Sequence, residues 1–226
     1  MANHLDLEEQ EQLDQLKHFW NTWGTLISSV LLVVAGALAA WNGYQYWQSR
    51  QATQATALYD AVDAAAIAGD EARLEQAFND IRTQYGGTHQ AGQAGLLVAK
   101  TYVSKGKQDE AKAALSWVAE HAADDGYKSL ARLRMAGILM DQKAYDEALK
   151  QLASPFPSEY SAVVADRKGD VLAVQGKTQE AISEYSIAYK DLAENVEYRR
   201  LVEVKLNALG VQPQAVAVAA AAENSK

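Results

Sequence analysis

The feature that most limits how this chain can fold is a stretch of 31 residues, 19–49, without a single charged side chain. Its centre, residues 26–40, is almost wholly apolar, and about 20 helical residues cross a hydrocarbon core of about 30 Å. Tryptophan and tyrosine favour the two headgroup layers of a bilayer. Trp20 and Trp23 lie at one end of the stretch, and Trp41, Tyr44, Tyr46 and Trp47 lie at the other. The pattern predicts one transmembrane helix with aromatic flanks over residues 19–49.

Two other interpretations fit part of this pattern: a buried core helix and a cleaved signal peptide. Ala37-Leu38-Ala39 fits the small residues that precede a cleavage point,. However, residues 1–18 are acidic where a signal peptide is basic, and the aromatic residues after Ala40 would have no purpose in a cleaved peptide,. The charges do not determine the orientation, because Lys17 and Arg50 each stand alone on one side of the span,.

Small residues inside the predicted span suggest a face against which another helix could pack. Gly36 and Ala40 lie four residues apart and therefore on one side of a helix,. Small residues are common in membrane helices in general, so a lipid-facing surface remains the alternative.

Charge and composition exclude several classes of function. The chain of 226 residues has a formal net charge of −8 and no cysteine. An acidic chain lacks the basic footprint of a nucleic-acid-binding protein, and the lack of cysteine excludes disulfides, iron–sulfur clusters and thiolate zinc sites. Four scattered histidines offer no metal-ligand spacing, so we expect no cofactor, no metal site, no nucleic-acid partner and no catalysis.

After Arg50 the sequence reads as helix, and a motif recurs within it. Gly106-Lys-Gln-Asp-Glu-Ala111, Lys143-Ala-Tyr-Asp-Glu-Ala148 and Gly176-Lys-Thr-Gln-Glu-Ala181 align without gaps at a period of 37 and then 33 residues. Small residues at matching positions let paired helices approach closely, and large ones fill the groove between repeats. This arrangement resembles the tetratricopeptide repeat, with a generic helical bundle as the alternative.

The predicted fold is all-α, with a single N-terminal transmembrane helix followed by a tetratricopeptide-repeat-like α-solenoid. Residues 1–18 form an acidic segment and residues 50–210 the repeat domain. The domain begins with a degenerate lead-in over 51–85, which is predicted to be two helices with a break at Gly69-Asp70. It ends with a capping helix over 187–209, with Leu201 and Leu206 turned inward. Residues 211–226 are predicted to be a flexible alanine-rich tail. Within the domain we place the repeats at about 92–121, 129–155 and 160–190.

The order of anchor and repeats resembles the YfgM family, ancillary subunits of the bacterial SecYEG translocon, over roughly residues 1–210. The resemblance rests on Leu-Glu-Glu-Gln-Glu-Gln-Leu at 7–13, on Trp20-Asn-Thr-Trp-Gly24, on the spacing of Trp41, Tyr44 and Trp47, and on the repeats. It implies a bacterial inner-membrane protein with a cytoplasmic N-terminus and a periplasmic repeat domain. The implied partners are the SecYEG translocon, a membrane-anchored PpiD-like chaperone of the peptidyl-prolyl isomerase class, the lipid bilayer and unfolded polypeptides.

The resemblance also implies a partner groove lined by the first helix of each repeat. Its expected residues are Lys100, Val103, Ser104, Leu133, Gly137, Met140, Asp141, Asp166, Asp170 and Val174. The favoured function is a non-catalytic translocon and chaperone adaptor that assists the hand-over of newly translocated proteins. The alternatives are an anchored repeat scaffold for cell-wall or outer-membrane biogenesis, and a membrane-bound enzyme, for which no triad or metal cluster is visible.

Overall fold

The computed structural model describes residues 7–193 and 195–213, and within these ranges every regular element is helical. There are nine α-helices in this part of the chain, separated by short turns. Their bounds are α1 Leu7–Ala68, α2 Glu71–Tyr85, α3 His89–Ser104, α4 Gln108–His121, α5 Asp125–Asp141, α6 Tyr145–Leu152, α7 Ser161–Val174, α8 Thr178–Asp191 and α9 Glu197–Ala208. A single 3-10 turn, Ser158–Tyr160, precedes α7. The all-α prediction is confirmed for these residues.

The chain divides into two compact units, residues 1–51 and 52–226. In the first unit, α1 contains a stretch long and apolar enough to span a membrane, and its side chains are exposed almost throughout. Its polar side chains bond to their own helix: Thr22 Oγ1 donates to the carbonyl of His18 at 2.8 Å, and Ser29 Oγ donates to that of Thr25 at 2.7 Å. Such i−4 bonds satisfy hydroxyl groups without water, as a lipid environment requires.

In the second unit, one type of turn occurs five times, and four of the five turns join consecutive helices into pairs. In each turn one residue adopts a left-handed backbone, and these residues are Gly69, Gly106, Lys143, Gly176 and Gly210. The amide that follows each of them donates to a carbonyl five residues earlier, at 2.8–3.1 Å. This is the 6→1 bond of a Schellman motif, which ends a helix and reverses the chain. Four of the five positions are glycine because glycine adopts a positive φ without steric cost.

The structure confirms the predicted break at Gly69-Asp70 and corrects the expected capping helix at the other end of the domain. The lead-in over 51–85 is a helix pair like the others, because Gly69 has a φ of 69° and Asp70 N donates to the carbonyl of Ala65 at 3.1 Å. The capping helix expected over 187–209 is two helices, since α8 ends at Asp191 and α9 begins at Glu197. Of the predicted tail, residues 214–226 lie outside the described residues.

Small side chains set how closely the paired helices approach. A Cβ on Gly95 would collide with Val118 of α4, and one on Gly169 would lie 2.5 Å from the Tyr185 ring of α8. Close-packed interiors do not absorb such an atom without a shift of the neighbour. The domain core therefore depends on small residues in first helices facing large ones in second helices, as the repeat motif predicts.

Candidate functional site

The expected groove residues occupy equivalent places on α3, α5 and α7. Lys100, Gly137 and Asp170 each lie six residues before the left-handed residue that ends their helix. The three helices nevertheless present these positions to different surroundings, and the structure brings only part of the expected set together.

A pocket of about 300 Å³ lies between α3 and α5. It collects four of the expected residues, Lys100, Val103, Gly137 and Asp141, and adds apolar walls and one arginine that the sequence did not single out: Ala99, Leu115, Ile138 and Arg134. Gly137 leaves the pocket open, because nothing lies within 4 Å of where its Cβ would be. An open concave surface with apolar walls and few polar groups is the usual form of a binding site.

The charged groups of this pocket differ in their partners. Arg134 Nη1 donates to the carbonyl of Leu96 at 3.2 Å. Lys100 and Asp141, both exposed, make no hydrogen bond or ion pair with any described residue. The pocket thus offers one unpaired cation and one unpaired anion beside an apolar surface.

Three expected residues of the first two repeats lie outside this pocket. Ser104 is exposed and donates to the carbonyl of Thr101 at 2.7 Å. Leu133 is only 8% exposed and belongs to a core cluster, against which the half-buried Met140 packs. In the third repeat, Val174 is exposed.

The remaining two carboxylates are not on an open face, which corrects the expectation of a solvated or peptide-binding pair. Asp166 is 1% exposed and Asp170 is largely buried, and Lys205 Nζ donates to both at 2.7 Å. Tyr198 donates to Asp166 at 2.5 Å, and Tyr185 donates to Asp170 at 2.9 Å. Because Lys205 and Tyr198 belong to α9, that helix closes this part of the surface.

The environment of this cluster raises the pKa of both its tyrosines. Burial raises the pKa of Tyr185 and of Tyr198, and the hydrogen bonds from their hydroxyls to Asp170 and Asp166 raise each pKa further. The neutral phenol is the form that can donate to a carboxylate, so the cluster holds both protons in place.

Sequence reasoning missed Lys205 and Tyr198 because it treated α9 as a cap with leucines turned inward. The buried apolar residues of α9 are Val202 and Leu206, whereas Leu201 is 47% exposed. A signal was present: Gly210 follows Leu206 by four residues, as Gly106 follows Tyr102. That spacing gives α9 the same C-terminal turn as the first helices of the repeats, and its Tyr198 and Lys205 bond to Asp166 of α7.

The five aromatic residues expected to anchor the membrane helix are all exposed on α1. Their exposures lie between 50% and 62%, for Trp20, Trp23, Trp41, Tyr44 and Trp47. Trp23 and Trp41 are separated by about 27 Å of helix, close to the thickness of a hydrocarbon core. Gly36 and Ala40 are exposed as well, and the space beside Gly36 is open.

Among the described residues, no group of three or more histidine, aspartate or glutamate side chains could hold a metal ion. The chemistry available in the pocket between α3 and α5 is that of recognition, through charge, hydrogen bonds and apolar contact.

Comparison with known proteins gives the same architecture. A family model described as a tetratricopeptide repeat-like domain matches residues 17–211. An ancillary SecYEG translocon subunit of Neisseria gonorrhoeae (strain ATCC 700825 / FA 1090) is 32% identical over 152 residues, which cover 67% of this chain and 73% of that protein. An ancillary SecYEG translocon subunit of Escherichia coli (strain K12) is 29% identical over 119 residues, 52% of this chain and a little over half, 57%, of that relative.

Proposed function

We propose a function that proceeds from one premise: the chain belongs to the family of ancillary SecYEG translocon subunits, and most of it is a tetratricopeptide repeat-like domain. The family and fold expected from the sequence are thereby confirmed. The chain acts as a non-catalytic, membrane-anchored adaptor that associates with the SecYEG translocon. The observation that carries this assignment is the match to a translocon subunit over 73% of that subunit's length.

The membrane helix is the proposed means of localisation. An apolar stretch of this length, with exposed aromatic residues at both ends, suits a single pass through the bacterial inner membrane,. The orientation that fits an adaptor for emerging polypeptides places the N-terminus in the cytoplasm and the repeat domain in the periplasm. In this arrangement Gly36 and Ala40 form the face available to a neighbouring membrane helix.

The pocket between α3 and α5 is the proposed contact with a periplasmic chaperone of the PpiD-like class. Lys100 and Asp141 have no partner within residues 7–193 and 195–213, and Val103 and Ile138 add apolar surface beside them. A partner segment with complementary charges would satisfy both groups at once. Through that contact the chain assists the hand-over of newly translocated polypeptides.

Affinity purification of the full chain from membranes in mild detergent tests both parts of the proposal. Native protein is expected to recover translocon subunits and an anchored periplasmic chaperone. Gly137→Leu fills the pocket without a backbone clash and is expected to lose the chaperone while keeping the translocon. Ser183→Leu, which places the same side chain on an exposed part of α8, is the matched control.

Failure to recover translocon subunits would overturn the assignment, and recovery of cell-wall or outer-membrane machinery instead would favour a scaffold for that assembly. Equal chaperone recovery by Gly137→Leu and native protein would exclude the pocket as the contact.

Because the chain has no cysteine, Ser183→Cys tests orientation separately: an impermeant maleimide should label it from the periplasm.

A further inference from the structure

A second pocket, of about 480 Å³, lies among α2, α3 and α4 and shares no residue with the pocket between α3 and α5. Its floor is apolar, formed by Phe78, Val98 and Ala114, which are at most 6% exposed. Tyr102 of α3 and the carboxylates of Glu75 and Glu110 complete it. We name this site the acidic pocket.

Tyr102 is the unusual member of the acidic pocket. It is 8% exposed, yet its hydroxyl makes no hydrogen bond with any described residue. The ring of Tyr102 is buried while its hydroxyl opens onto the pocket, so a ligand in the pocket can supply the partner that this hydroxyl lacks within the protein,. Burial raises the pKa of Tyr102, and the negative charge of Glu75 raises it further, so the hydroxyl is held in its neutral form.

The charged side chains around the pocket differ in whether they already have a bonding partner. Lys107 forms an ion pair with Glu71, which also accepts from Lys105 at 3.2 Å. Arg82 donates to Asn79 Oδ1 at 3.2 and 3.0 Å and lies over the ring of Phe78. The cations that line the pocket therefore already have acceptors.

Glu75 on α2 and Glu110 on α4 have no such partners. Neither carboxylate makes a hydrogen bond or an ion pair in the part of the chain that the structure describes. An occupant that suits this site carries positive charge, a donor for the carboxylates and a methylene chain that can lie along the apolar floor.

We propose that the acidic pocket binds a lysine or arginine side chain of an extended segment of a partner protein. The head group lies between Glu75 and Glu110, the Tyr102 hydroxyl bonds to the bound segment, and the side-chain methylenes cover Phe78 and Val98. The domain would thereby have a second binding site, one for a basic segment of a partner. The proposal does not depend on the translocon assignment, since it rests on the second unit alone.

The test uses the full chain in nonionic detergent and a fluorescein-labelled peptide, Ala-Leu-Lys-Leu-Ala-amide, followed by fluorescence anisotropy. The matched probe carries acetyl-lysine, which keeps the four methylenes of the side chain and removes its charge. The lysine peptide is expected to bind about tenfold more tightly, and its affinity is expected to fall as salt is raised.

Variants locate the binding. Glu75→Gln with Glu110→Gln should weaken the lysine peptide about tenfold, and Tyr102→Phe, which keeps the ring in the core, should weaken it severalfold. Glu147→Gln with Glu180→Gln alters two exposed glutamates elsewhere and should leave affinity unchanged. Far-UV circular dichroism verifies that each variant is folded.

The proposal is overturned if neither peptide binds at millimolar concentration, if both bind equally, or if the Glu75 and Glu110 variant binds like native protein. No translocon subunit or chaperone is present in this assay. A negative result here would therefore leave the adaptor assignment standing, and failed copurification would leave the acidic pocket standing.

Discussion

Lys100 and Asp170 occupy the same place in the first and third repeats, six residues before the turn, yet their surroundings are opposite. Lys100 is exposed at the edge of a pocket and has no described partner. Asp170 is bonded to Lys205 and Tyr185 in a cluster closed by α9. Helical register thus determines which face of a repeat a residue occupies, while the following helix determines whether that face is open.

The difference has an energetic side. An exposed unpaired charge is solvated by water and costs little. A carboxylate that is 1% exposed, such as Asp166, has lost that solvation, so it depends on Lys205 and Tyr198 for compensation. We call the surface around Lys100 the open face and the surface around Asp166 and Asp170 the closed face. The open face can exchange partners, whereas the carboxylates of the closed face bind side chains of α9.

The largest expected effect comes from removing the cation of the closed face. Lys205→Met leaves Asp166 and Asp170 without their shared ion pair and should lower the free energy of unfolding by about 3 kcal/mol. Lys100→Met, the matched change on the open face, should cost less than about 0.5 kcal/mol. Urea unfolding of the detergent-solubilised chain, followed by far-UV circular dichroism, measures both.

Equal losses for Lys205→Met and Lys100→Met would contradict the comparison. Neutralising the partners as well, with Asp166→Asn and Asp170→Asn in the Lys205→Met background, should restore part of the stability. This recovery would show that the cost arises from the uncompensated buried charge and not from lost packing alone.

A second comparison uses two glycines at neighbouring positions of the repeat: Gly169, which is packed against a ring, and Gly137, which faces open space. Gly169→Ala places a methyl group 2.5 Å from the Tyr185 ring and should lower the free energy of unfolding by about 1–3 kcal/mol. Gly137→Ala meets open space and should raise it by up to about 1 kcal/mol, because alanine favours the helix. Opposite signs in the same urea experiment are expected, and two losses of equal size would count against an open pocket.

The smallest effect concerns pH. The pKa values of Tyr198 and Tyr185 are raised above 10.0 on folding, so the folded chain holds these protons more tightly than the unfolded chain does. Their contribution to stability is complete below pH 10 and declines as the pH rises above it. Tyr198→Phe should therefore lose less stability between pH 8 and pH 11 than native protein loses.

Thermal unfolding at several pH values measures this slope. Tyr145→Phe, at a half-buried tyrosine outside the closed cluster, is the control and should keep the native slope. If Tyr198→Phe also keeps it, the phenol proton does not stabilise the closed face.

Much of the fold could be predicted because the signals are local. The charge-free stretch of 31 residues is continuous in the sequence, and Gly106 and Gly176 each lie within two helical turns of the motif residues that they accompany,. The lead-in pair was predicted from its break at Gly69-Asp70, and Gly69 makes the same left-handed turn as the glycines of the motif. Lys143 is the exception to the glycine pattern, since it adopts a left-handed φ of 60° although it is not glycine,.

The candidate site was predictable only in part. Periodicity placed Lys100, Gly137 and Asp170 on first helices, but it carries no information about the neighbour across the groove. Tyr102 was recognised as a large residue of the repeat, and its unpaired hydroxyl became visible only with the packing of α2, α3 and α4.

The sequence by itself determined the helical content, the membrane-length segment and the repeat register, because each depends on bonds and side chains within a few residues. Tertiary structure alone decided which register positions remain open. Lys205 reaches Asp166 across 39 residues of chain, and only folding reveals that burial and charge pairing close one face while the equivalent position at Lys100 remains in contact with water.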